Sequence, residues 1–284
     1  MDKRSIHLNN VLKSAALKSA ALKSALAYGV GWAAGTVISR IIFNQISIDP
    51  VGDQAGQAAR LAAGLLMAFV IAAVSAGIGG LVGGYTLPAA RRERGRWGYT
   101  WRSGGVMALT FGALMFPLIF IVSLFSFYTN TTSIPFLRFI ILFLIIGAVY
   151  GALTGLLLGI VTLWRKGVGR VVWAGAMGFG LGGLLLGAGT RQYLLSFDGV
   201  TGRFAQPWWF LLGMFGFGAL GGGALAALYG RMAAESADDK DYTASKRKIW
   251  LRRGLVTAAV LLLIFGLFRP IVFALADFLT PVSA

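Results

Sequence analysis

Apolar residues run along the chain in seven long stretches, separated by short polar and basic segments. The stretches lie near residues 25–43, 61–87, 104–127, 136–163, 171–189, 207–230 and 252–279. A helix needs about 20 apolar residues to cross the hydrocarbon core of a bilayer. Short connections favour antiparallel, adjacent neighbours. The pattern predicts an all-α integral membrane protein, with a basic cytoplasmic segment over 1–24 and one transmembrane domain over 25–284.

Small residues recur at every fourth position in three of these stretches. The three sets are Ala72, Ala76, Gly80 and Gly84, then Gly147, Gly151, Gly155 and Gly159, then Gly218, Gly222, Ala226 and Gly230. A step of four keeps each set on one helix face. Small residues let helix backbones approach closely in lipid, so each set predicts a packing seam, a glycine zipper. A second interpretation, in which the glycines line a narrow pore or a groove, stays open.

The stretches that follow these three also carry spaced small residues, so the unit of the pattern is a helical hairpin. Three copies are predicted after one leading helix, over residues 61–127, 136–189 and 207–279. Repetition at a fixed period is the signature of a repeated structural unit. Because every copy enters the membrane from the same side, the repeats are parallel and their pseudo-symmetry axis is predicted to lie along the membrane normal.

Composition and charge place the chain in a bilayer and orient it. Hydrophobic residues make up 57% and charged residues 13%, against about 25% charged in soluble domains. Seven alternating spans put 20 of the 26 basic residues on the side of the N-terminus. Basic loops stay in the cytoplasm, which predicts the N-terminus inside and the C-terminus outside. The net charge of +16 is therefore interpreted as membrane topology and attraction to anionic lipid, not nucleic-acid binding.

The segment LKSAALKSAALKSALA, residues 12–27, repeats a five-residue unit. A step of five turns a helix by about 140°, so Lys13, Lys18 and Lys23 surround the helix instead of sharing a face. This is not the pattern of a helix that lies on a membrane surface. We interpret the segment as a short tandem duplication that adds positive charge before the first span.

Few residue types with reactive chemistry occur in the spans. The chain has no cysteine, its one histidine is His7 in the N-terminal segment, and no acid falls in the middle of a span. Coupled pumps use an ionisable group at that depth. No catalytic residues, cofactor or metal site are predicted, and we expect the protein not to be an enzyme. Short loops without cysteine are typical of a bacterial cytoplasmic (inner) membrane protein.

The remaining candidate chemistry lies on the predicted outer side. Arg138, Arg191 and Arg269, with Asp277, form a candidate site for an anion or a lipid headgroup. Alternatively, these arginines extend to lipid phosphates without forming a site.

The first functional hypothesis is an accessory, scaffold or assembly subunit that binds other membrane-protein subunits. A passive channel or carrier built from the glycine-bearing repeats, and a lipid-handling protein, are the alternatives.

Overall fold

The computed structural model describes most of the first six apolar stretches. The described residues are 3–45, 57–86, 100–112, 114, 135–162, 167–198, 203–204 and 208–235. The helices are α1 (Lys3–Gln45), α2 (Gln57–Thr86), α3 (100–112), α4 (Phe136–Thr162), α5 (Val168–Leu195) and α6 (Trp208–Glu235). They fall on the first six predicted stretches, of which 104–127 is described only at 104–112 and 114, and the all-helical architecture is confirmed for the described residues. The predicted span over 252–279 lies outside the described residues.

Among the described residues, three helices are long and apolar enough to cross a membrane. The membrane-compatible segments are Phe136–Val161 in α4, Val168–Tyr193 in α5 and Trp208–Tyr229 in α6. A helix satisfies its backbone hydrogen bonds internally, which lipid requires of any spanning segment. Multiple spans of this kind identify an integral membrane protein.

The connections around α5 are short and locally hydrogen-bonded. The turn from α4 into α5 contains Gly167, whose positive φ of 95° suits a residue without a side chain. The Ser196 hydroxyl donates to the Tyr193 carbonyl at the end of α5. Two two-residue strands, β1 (Phe197–Asp198) and β2 (Arg203–Phe204), then pair antiparallel before α6 begins.

The six helices pack in a closed ring in chain order. Helix α1 packs against both α2 and α6, α5 packs against α4 and α6, and α4 and α6 barely touch each other. Helix α3 completes the ring: its Ser103 backbone packs on Gly80 of α2, and its Thr110 hydroxyl bonds the Thr154 hydroxyl of α4. At the depth of residues 100–112, the centre of the ring is therefore enclosed on all sides by described helices.

The outward-facing surface of the described helices is apolar. Large exposed side chains lie on every helix, including Leu22 of α1, Val70 of α2, Trp101 of α3, Leu137 of α4, Trp173 of α5 and Leu212 of α6. A soluble protein does not expose apolar surface on all sides, whereas lipid solvates it. The exposed faces are consistent with a bundle that lies in the bilayer.

Candidate functional site

Five aromatic side chains from five different helices fill the centre of the ring. This aromatic core consists of Trp32 from α1, Phe111 from α3, Tyr150 from α4, Phe179 from α5 and Phe217 from α6. Trp32, Tyr150 and Phe179 are fully buried, and the other two are nearly so. The space at the centre of the helix ring is therefore filled by one large aromatic side chain from each of these five helices.

The rings of the aromatic core pack mainly edge to face. The Trp32 ring lies 4.7 Å from Phe111 and 5.2 Å from Phe217, at interplanar angles of 89° and 82°. Tyr150 lies 4.8 Å from Phe179 at 80°. Aromatic pairs favour this geometry and gain about 0.5–1.5 kcal/mol from it beyond area burial. The five rings of the aromatic core are therefore closely packed against one another.

Helix α2 contributes glycines instead of an aromatic ring, and Trp32 occupies the space they leave. A Cβ at Gly79 of α2 would fall on the Trp32 indole, and a Cβ at Gly218 of α6 would lie 2.5 Å from its Cδ1. One turn earlier in α1, Tyr28 fits in the same way between Gly83 and Gly222. Two glycines on each neighbouring helix therefore receive the two largest side chains of α1.

Tyr28, Gly79 and Gly83 are not among the packing residues that the sequence predicts. The predicted face of α2 contains Gly80 and Gly84, each one residue further along the helix. A signal was present, because glycines occur in pairs at 79–80 and 83–84, and paired glycines at a step of four leave two helix faces bare. The unusual position of Trp32 inside a span was the matching signal on α1.

Two of the predicted small-residue stripes face the next helix in the chain. On α2, a Cβ at Gly80 would lie 2.6 Å from the Ser103 carbonyl oxygen of α3. On α4, Gly147, Gly151 and Gly155 all approach backbone carbonyls of α5, at Phe179, Gly175 and Val171 respectively. Ala72 and Ala76 are buried, and Gly159 packs on Val168 of α5. Backbone atoms cannot rotate away, so the contacts with backbone carbonyls require glycine.

The third stripe faces the leading helix. Gly218 and Gly222 of α6 pack on α1, Ala226 is buried, and Gly230 lies within the last turns of α6. Helix α1 therefore lies beside α6 as α3 lies beside α2 and α5 beside α4. The returning helix of the predicted third hairpin is outside the described residues, and α1 occupies the corresponding position in the ring.

Buried hydroxyl groups link helices at several depths of the ring. The Tyr28 hydroxyl lies 3.1 Å from Ser103 Oγ, the Thr110 and Thr154 hydroxyls are 2.9 Å apart, and Ser39 Oγ lies 3.2 Å from Ser75 Oγ. Each pair joins two different helices. Such bonds contribute about 0.6 kcal/mol on average inside membranes, so they fix register more than they stabilise the bundle.

Two polar atoms of the aromatic core have no hydrogen-bond partner. They are Trp32 Nε1 and the Tyr150 hydroxyl, and both are fully buried. The Tyr150 hydroxyl lies beside the paired hydroxyls of Thr110 and Thr154 without reaching hydrogen-bond geometry. An unpaired buried polar group is unfavourable, so the rings are held in place by packing and not by their polar atoms.

Two of the four residues of the predicted arginine site lie in the described helices. The Arg191 guanidinium near the end of α5 lies 5.3 Å from the centre of the Phe136 ring at the start of α4. Arg138 is two residues further along α4 and, like Arg191, half-buried. Arg269 and Asp277 lie outside the described residues.

In the part of the chain that the structure describes, no three His, Cys, Asp or Glu side chains lie close enough to hold a metal ion.

Searches against protein-family models, curated proteins and solved structures found no match to the chain.

Proposed function

We propose that this protein is a non-catalytic membrane scaffold, an accessory or assembly subunit of a larger membrane complex. The observation that supports it is the aromatic core, which fills the centre of the helix ring with Trp32, Tyr150 and Phe179 fully buried. Because the centre of the bundle is filled and its outside is apolar, the surface available to other molecules is the outer one and not an internal cavity.

The same observation favours a scaffold over a channel or carrier. A conduction pathway requires polar groups or carbonyl oxygens that replace the water around a solute. At the centre of this ring, the side chains that meet are aromatic rings with centroids about 5–6 Å apart. A path through the middle would require several of these rings to move together.

In this proposal the chain crosses the inner membrane of a bacterium seven times, with the N-terminus in the cytoplasm. The positive-inside bias over all seven stretches supports this orientation. The hairpin repeat is supported by the stripes on α2 and α4, each of which packs on the returning helix of its own hairpin, whereas the stripe on α6 packs on α1. The closed ring of six helices then forms a rigid body, and the glycine contacts are what make it rigid.

The surface offered to a partner subunit is proposed to include the outer face of α5. Its exposed residues recur at a step of four, with Trp173 at 68% exposure, Met177 at 54%, Leu181 at 49% and Leu185 at 48%. A straight row of large apolar side chains fits the groove between two helices of another membrane protein.

The proposal is tested by what the protein binds in its own membrane. The tagged chain, extracted in mild detergent, is expected to migrate on native electrophoresis with other subunits in fixed proportion, identified by mass spectrometry. A photo-crosslinking residue at Met177 is expected to capture a partner protein, and the same residue at buried Phe179 is the matched control. A chain that migrates alone, with only lipid crosslinked at Met177, would overturn the proposal.

A further inference from the structure

One end of the α4–α5 pair brings two arginines to the same depth. Gly183 and Gly187 of α5 both approach Phe143 of α4, which fixes the antiparallel register of the two helices. One further turn in each direction places the last part of α5 beside the first turn of α4. The contact of Arg191 with the Phe136 ring is at this level, and Arg138 belongs to the same first turn.

Neither helix brings an acidic group to this end. Helices α4 and α5 contain no Asp or Glu in their sequences. Asp198 in β1 follows α5, and it stands opposite Arg203 in β2, so the short hairpin contributes one charge of each sign. The free amide groups at the start of a helix add a partial positive charge. Two guanidinium groups next to a helix start therefore favour a ligand with a phosphate group.

The surroundings of the two arginines are apolar. Phe136 is 52% exposed and Leu137 is 68% exposed, and the exposed row on α4 continues towards the membrane centre through Ile141 and Ile145. The arginine stems can pack along this surface while their charged ends reach the headgroup region. A charged end above a long apolar face matches the two parts of a phospholipid.

We infer that the start of α4 and the end of α5 bind an anionic phospholipid, with the phosphate between Arg138 and Arg191 and one acyl chain along Leu137, Ile141 and Ile145. An anionic headgroup is favoured over a zwitterionic one because the ammonium group of the latter would bring a third positive charge to this end. The Phe136 ring holds the Arg191 guanidinium towards the phosphate by a cation–π contact. This site does not depend on a partner subunit.

The test uses the purified full chain in detergent and native mass spectrometry with added lipid. Phosphatidylglycerol is expected to be retained in preference to phosphatidylcholine. The double variant Arg138→Gln/Arg191→Gln is expected to bind phosphatidylglycerol about 30-fold more weakly, from about 1 kcal/mol per arginine near the headgroups. The matched control is Arg170→Gln, which removes an exposed arginine at the other end of α5 and is expected to change binding less than twofold.

Three outcomes would overturn the inference. The first is equal retention of the two lipids by the unaltered chain, which requires no variant. The second is an equal loss of binding in Arg170→Gln and in the double variant, which would indicate a general effect of charge. The third is full competition by inorganic phosphate or glycerol phosphate, which would indicate an anion site without lipid. If the double variant does not fold, Arg138→Lys/Arg191→Lys keeps both charges, and its lost paired geometry is expected to weaken binding several-fold.

Discussion

At the scale of single residues, the fold depends on two features. Glycines have no side chain to keep neighbouring helices apart, and aromatic side chains fill the centre of the ring. Gly151 of α4 and Gly175 of α5 each approach the carbonyl group of the other. Trp32 can be fully buried because Gly79 and Gly218 leave room for its indole. Glycines therefore allow both the close approach of helix backbones and the burial of the aromatic side chains.

The Gly151 contact gives the sharpest test of that arrangement. In Gly151→Ala the new methyl group would meet the Gly175 carbonyl, which is backbone and cannot rotate away. The free energy of unfolding in mixed micelles is expected to fall by about 1–3 kcal/mol. Gly169→Ala, on α5 where a Cβ would meet nothing within 4 Å, is the matched control and is expected to leave stability unchanged or slightly raised. Equal stability of the two variants would contradict the close packing of α4 on α5.

Tyr150 separates the packing of a ring from the bonding of its hydroxyl. Because the hydroxyl has no partner, Tyr150→Phe is expected to change the free energy of unfolding by less than about 1 kcal/mol. Tyr150→Ala removes a ring that packs against four others and is expected to cost about 3–5 kcal/mol. A large loss in Tyr150→Phe would show that the hydroxyl is bonded in the folded protein.

At the scale of helices, apolar length was sufficient to predict where the described helices lie. The stretches over 61–87, 136–163 and 207–230 correspond to α2, α4 and α6. The stripes on α2 and α4 were predicted as packing faces, and their glycines lie against α3 and α5. The spacing of small residues along one helix shows which of its faces lacks large side chains, and this requires no knowledge of the other helices.

The partner of each face is not local, and there the sequence was insufficient. Nothing in a step of four says that the α6 stripe receives α1, or that Trp32 will lie against Gly79 from α2. These choices depend on how six helices fill a common centre, where the volumes of all the side chains are decided together. Likewise, Arg191 and Phe136 are more than 50 residues apart in sequence, and only the α4–α5 register brings them together.

The turn between α4 and α5 carries a prediction at this scale. Gly167 has a φ of 95°, which costs an L-residue about 1–2 kcal/mol, and its position also lies against the Met232 side chain of α6. Gly167→Ala is expected to lower the thermal unfolding midpoint. The same substitution in a Met232→Ala background keeps the backbone cost and removes the contact, so most of the loss is expected to remain. Full recovery in that background would show that the turn itself is unstrained.

At the scale of the whole molecule, the ring and its aromatic core form one unit. Removing the core would leave six helices around a void, and opening the ring would expose the core. The stripes on α2, α4 and α6 pack on α3, α5 and α1 respectively, so each joins a different pair of helices. In the proposed function, this unit positions other membrane proteins through its outer surface.

The contact between α3 and α4 tests the closed ring most directly, because α3 joins the ring there through Thr110 and Thr154, whose hydroxyls are 2.9 Å apart. The chain has no cysteine, so Thr110→Cys/Thr154→Cys introduces a single possible disulfide. Under mild oxidation in native membranes it is expected to form in most molecules, seen as a mobility shift that a reductant reverses. The control pair Leu109→Cys/Thr154→Cys places one thiol on the outward face of α3, where Leu109 is 41% exposed, and is expected to stay reduced. Failure of the first pair to form a disulfide, or equal reaction of both pairs, would contradict the closed ring.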